Sequence, residues 1–309
     1  MNLLTAQFSA TALDQVRRAY SAGTDRPAPR IANMEKRQSA RYVADLSRRV
    51  SRADMEALNE ATQLREQALV FARKAQTRRA RGLLDEASAL IASRIEDREG
   101  QVSAASFHAA AAGFVEHVEA HHEAAKEEML SALRHCRTLA LEFDHSVAMR
   151  RVHLARNVAR LVWALGDHRG AIALCDQLLD YCWSKDAPWP LGEDTRIDPE
   201  PKTDLRRDER VFLTDQLMSE IVSTCADARA RSMTLSLDAR PIWEGLADRL
   251  PERAQAVRRF CAAMPGAELD ALLAAASRYL GGGPGDLPMT WRRILRLVEN
   301  ETGETIEQG

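Results

Sequence analysis

VHLARNVARLVWALGDHRGAIALCDQLL, residues 152–179, places Gly166 and Asp167 between two helix-forming halves, where a helix-turn-helix needs its tight turn. Two earlier stretches line up with it: ATQLREQALVFARKAQTRRARGLLDEAS from Ala61 and SFHAAAAGFVEHVEAHHEAAKEEMLSAL from Ser106. The offsets are 45 and 46 residues. Each stretch has a small residue at its eighth position (Ala68, Gly113, Ala159) and an alanine twelve later (Ala80, Ala125, Ala171). Leu84, Met129 and Cys175 follow four residues on. Small residues at those places let two antiparallel helices approach closely, and the later apolar residue faces the next pair.

The rest of the chain agrees with helices. It is rich in Ala, Leu, Arg and Glu, with few β-branched runs and almost no alternating apolar pattern, which predicts an all-α protein. Residues 3–21 form an amphipathic helix in this reading, TDRPAPR at 24–30 breaks it, and helical sequence resumes near Ala32. SKDAPWPLGEDTRIDPEPKTD, residues 184–204, has four prolines and many charges and predicts a surface loop or linker. Helices return over about 207–235, 241–263 and 267–280. After GGGPGDLP (281–288), MTWRRILRLVEN sets Trp291, Ile294, Leu295 and Val298 on one helical face. The expected segments are N-terminal helices at 1–53, a repeat region at 54–183, the Pro-rich loop at 184–206, C-terminal helices at 207–280, and a joint with a terminal helix at 281–309.

The three stretches resemble the tetratricopeptide repeat family. Its helical hairpins have a small residue early in the first helix, a Gly-Asp type turn, an aromatic after it and an alanine three residues later. Ala159, Gly166, Asp167, His168 and Ala171 match those places. The spacing exceeds the family's usual 34 residues or so, as in its longer-helix variants. A position before the turn that is often Tyr is Glu116 in the second stretch. The resemblance implies antiparallel hairpins stacked as an α-solenoid, with extra N- and C-terminal helices. It also implies a concave groove that binds a peptide or protein helix. Groove residues expected from the first helix of each hairpin are Arg65, Phe71, His108, Glu116, Arg156 and Arg160. Trp183 and Trp189 beside the Pro-rich loop are candidate aromatic anchors or a cover for the end of the array.

All eight histidines lie between positions 108 and 168, which raises a metalloprotein alternative. His117 and His121 stand at a chelating i,i+4 spacing if both lie on one helix. Two Glu-x-x-His segments, Glu119 with His122 and Glu142 with His145, have the pattern of di-iron carboxylate bundles. His117, Glu119, His122, Glu142 and His145 are thus the candidate ligands of iron or zinc in that alternative. Against it, His122 and His168 take the same slot after the inter-helix turn, where the family packs an aromatic ring. A turn at 119–121 would also put His117 and His121 on different helices.

Formal net charge is −2, so no global basic field draws the chain to nucleic acid. The arginine-rich stretch 35–52 is diluted by Glu35 and Asp45 and reads as a solvated helix face. Gln7, Asp14 and Gln15 interrupt the first apolar stretch, which removes a secretory signal from the reading, and no run is long and apolar enough for a bilayer. Five cysteines without a C-x-x-C suggest neither a disulfide framework nor a zinc ribbon and fit a reducing cytoplasm. No phosphate loop or nucleophile motif occurs in a suitable setting. The expectation is a cytoplasmic, bacterial, non-enzymatic adaptor or regulatory protein that needs no cofactor and takes a protein or peptide partner.

Overall fold

The computed structural model describes residues 9–24, 33–184, 186–191, 205–233, 252–264, 267–285 and 287–306. Among these residues the chain is α-helical, with no strand. The helices are α1 (Ala10–Thr24), α2 (Met34–Leu46), α3 (Arg52–Arg73), α4 (Thr77–Arg94), α5 (Arg98–Val118) and α6 (His122–Phe143). They continue with α7 (Ala148–Ala164), α8 (His168–Trp183), α9 (Arg207–Ala230), α10 (Glu252–Ala263), α11 (Leu269–Leu280) and α12 (Pro288–Thr302). Most of the Pro-rich stretch and residues 234–251, where a helix was expected from Pro241, lie outside the described residues. No described helix is long and apolar enough to cross a membrane.

Two compact units divide the chain: α2 to α7 with the first turns of α8 form one, and α1, the rest of α8 and α9 to α12 form the other. In the α2–α7 unit α3 pairs with α4, α5 with α6, and both α3 and α4 pack on α5. The side chain of Ser51 accepts the Asp54 N–H at 3.0 Å and that of Asp97 accepts the Gly100 N–H at 3.1 Å, satisfying donors that the starts of α3 and α5 would leave open. The Asp54 carboxylate accepts from the amides of Glu96 and Asp97 at 3.0 and 3.3 Å, which ties the start of α3 to the α4–α5 connection.

The predicted turn at Gly166 recurs twice. Ala75, Ala120 and Gly166 all have left-handed backbone, with φ of 56, 63 and 93°. The next amide closes a six-residue ring each time: Gln76 N–H to the Phe71 carbonyl at 2.9 Å, His121 to Glu116 at 2.9 Å, and Asp167 to Val162 at 3.1 Å. That bond pattern is the Schellman closure, which satisfies late carbonyls of the first helix while reversing the chain. α9 ends in the same way, with Ser232 at φ 55° and Met233 N–H on the Ala228 carbonyl at 2.9 Å. Ala68, Gly113 and Ala159, with Ala80, Ala125 and Ala171, are all buried. A Cβ on Gly113 would lie 3.0 Å from the Ala125 carbonyl oxygen, so α5 and α6 meet at the paired small positions the alignment singled out.

In the other unit α9 packs on α12 and α10, and α11 packs on α1, α10 and α12. Trp291, Ile294, Leu295 and Val298 are buried, as their spacing predicts. The start of α12 has no cap of its own; the Asp215 carboxylate of α9 accepts the Met289 and Thr290 amides at 2.8 and 2.9 Å and the Thr290 hydroxyl at 2.8 Å. Tyr20 stacks on Trp291 with ring centroids 5.0 Å apart, and the Trp291 indole donates to the Leu280 carbonyl at 3.0 Å. Gly23 is required here: a Cβ would stand 2.4 Å from that same carbonyl oxygen.

Candidate functional site

The polar residues expected to line a groove are largely internal. Arg65 of α3 is 5% exposed and donates to the Ala104 carbonyl at 3.2 Å and the Thr62 hydroxyl at 2.6 Å. Its guanidinium carbon lies 5.5 Å from the centroid of the Phe107 ring on α5. Arg150 of α7 lies 3.5 Å from the same centroid and donates to the Ser106 hydroxyl at 3.2 Å. Burial, with the charge of Arg150 second, lowers the Arg65 pKa to about 10. Among the described residues neither guanidinium forms an ion pair. His108, next along α5, is half-buried, and burial followed by Arg65 pushes its pKa down, so its ring is neutral at pH 7. Phe107 and Arg150 were not among the sequence candidates. They lie on different helices, and no local spacing announces their contact.

The remaining groove candidates divide. Phe71 packs against the cluster of Ala68, Ala72, Leu84 and Val115, with the Arg79 guanidinium over its ring at 5.1 Å. Arg156 is buried and occupies in α7 the slot that Arg65 has in α3, with the His153 ring nitrogen 3.5 Å from its Nη2. Arg160 is exposed and donates to Asn157 at 3.4 Å. The two tryptophans are folded inward: Trp183 is half-buried and donates to the Thr214 hydroxyl at 2.8 Å, and Trp189 is buried with Arg151 over its ring at 4.2 Å.

Glu116 belongs to the α5–α6 turn. Arg81 of α4 pairs with Glu116 at 2.8 Å and grips Glu119 through Nε at 3.1 Å and through Nη2. His121 completes the group at 2.9 Å from Glu116. The hydrogen bonds from Arg81 are the chief reason both glutamates have lowered pKa values. Among the described residues these three, Glu116, Glu119 and His121, are the one trio close enough to share a metal ion, and the Arg81 cation already sits on both carboxylates.

The di-iron ligand set is not assembled. Glu142 pairs with Arg98 at 2.7 Å. His145 is buried between Glu99, 2.6 Å from Nε2, and Asp45, 3.2 Å from Nδ1, with the Tyr42 ring 5.1 Å away. Glu119 is held by Arg81, while His122 faces His117 with their Nδ1 atoms 3.4 Å apart. The turn at 119–121 puts His117 on α5 and His121 just before α6, which removes their i,i+4 relation. No family model, curated protein or solved structure matches the chain.

His122 does stand where His168 stands in the third turn. His168 lies against Trp163 with ring centroids 4.0 Å apart, His122 against His117 at 5.2 Å, and the equivalent places in the first turn are Ala72 and Thr77. Cys136 is fully buried with the Ser106 hydroxyl 3.3 Å from its sulfur, a packing position without an adjacent base.

Proposed function

We propose that the chain is a tetratricopeptide-like helical-repeat adaptor whose α3, α5 and α7 together present a groove to an acidic peptide or protein helix. The observation that carries this reading is the Arg65–Phe107–Arg150 group. Arginine is rarely buried without an anionic partner, and two guanidiniums about one aromatic ring repel each other through a medium less polar than water. A carboxylate from a partner would meet Arg150, the half-buried member of the pair, through charge-assisted hydrogen bonds, with Phe107 as the apolar contact beside it. The recurring turn at 75, 120 and 166 and the buried small residues facing across it support the repeat on which that groove rests. The chemistry is recognition, and it requires no catalytic residue.

A peptide-display selection on the full chain tests it. Sequences enriched in Asp or Glu beside an apolar residue should emerge, and Arg150→Ala should weaken them by tenfold or more in fluorescence anisotropy. Arg150 is the better probe because it is half-buried, whereas truncating Arg65 opens the core. No acidic enrichment, or equal binding by Arg150→Ala, would overturn the reading.

A further inference from the structure

The α5–α6 turn brings two imidazoles together in the slot where the third turn packs Trp163 on His168. The Nδ1 atoms of His117 and His122 are 3.4 Å apart and the rings are inclined at 43°. An N–H donor usually sits about 2.7–3.2 Å from its acceptor, so this pair is too open for a good hydrogen bond. Two nitrogens each about 2.0–2.1 Å from one tetrahedral ion stand about 3.3–3.4 Å apart. The match is to the edge of a coordination tetrahedron.

We infer that His117 and His122 form a two-histidine site for a divalent ion of the zinc class, with their Nδ1 lone pairs as ligands and water or an exogenous group in the other positions. Borderline ions suit imidazole ligands. Both rings are half-buried, so the site has fixed walls and still meets solvent. Arg160 opposes a cation, but it is exposed and screened by solvent and salt. The other turns show that two imidazoles are no structural requirement of this slot, since Trp163 with His168 and Ala72 with Thr77 serve it equally.

The site is independent of the proposed peptide groove and of the Arg81 cluster, and the experiment separates all three. Full-length protein without affinity-tag histidines is titrated calorimetrically with zinc chloride, and cobalt(II) absorbance reports coordination geometry. One ion per chain is expected, with tetrahedral cobalt bands. Binding should weaken tenfold or more in His122→Phe, which keeps a ring in the slot, and in His117→Gln. It should persist in His121→Gln and His168→Phe, and acidic-peptide binding should be unchanged in His122→Phe. Uptake that is weak, multiple and equal in all variants would overturn the inference. So would loss that follows His121→Gln, which would place the ion on Glu116, Glu119 and His121.

Discussion

Single residues decide how closely the helices of this protein can approach. Gly23 leaves no room for a methyl group, because the atom in the way is a backbone carbonyl that cannot rotate aside. Gly23→Ala should therefore cost about 1–3 kcal/mol through overpacking, read as a lower urea midpoint with unchanged slope. Gly82, which has open space around its Cβ position, is the control, and Gly82→Ala should be neutral or slightly stabilising. At this scale the sequence told only part of the story. The alanine and glycine pattern was legible in one dimension because the repeat supplied an internal comparison. The role of Arg65 was not: it was expected at a surface, and its partners Ala104, Phe107 and Arg150 lie 39 or more residues away. The same remoteness hid Glu99 and Asp45 from any reading of His145.

Helices are reversed by an element whose sequence varies while its backbone does not. Gly166 was recognised as a turn, yet Ala75 and Ala120 adopt the same left-handed conformation at a steric cost of about 1–2 kcal/mol each. Ala75→Gly and Ala120→Gly should accordingly raise stability by about 1 kcal/mol, and Gly166→Ala should lower it by a similar amount. Thermal unfolding of the three variants checks this, and a loss of stability in Ala75→Gly would count against the strain argument. The α12 terminus offers a contrasting case, since its cap comes from α9. Asp215→Ala should cost about 1–2 kcal/mol, with hydrogen exchange quickening at Met289 and Thr290 first. No sequence rule for local caps finds such a residue 74 positions from the amide it satisfies.

Across the whole molecule, two pairs of acidic groups, one in each unit, respond to pH in opposite directions. Asp176 and Asp215, in the unit of α9–α12, have pKa values raised to about 6, in both cases chiefly by burial. A raised carboxyl binds its proton more tightly in the folded state, so its contribution is complete below its ordinary 3.8 and is lost as pH climbs through about 6. Glu116 and Glu119, in the unit of α2–α7, are lowered by Arg81, so their contribution is present above the ordinary 4.5 and is lost on acidification. Glu128, raised by burial, offsets part of this. Hydrogen exchange corrected for intrinsic rates should show α9 and α12 losing protection as pH rises from about 4 to 6, and the α5–α6 turn losing it as pH falls below 4.5. Equal slopes in both regions would contradict the assignment. The two units also differ in how far apart in sequence their contacts lie, which sets a schedule for synthesis. The hairpins of α3 to α6 join neighbours in sequence, but Ser9 at the head of α1 donates to Asp270 of α11, 261 residues later. At about 5–20 residues per second, α1, whose Leu13 and Val16 are buried in the folded chain, leaves the ribosome tens of seconds before α11, on which it packs, exists. α1 is thus made long before the helix that buries it, and during that interval its apolar face is open to chaperones and proteases.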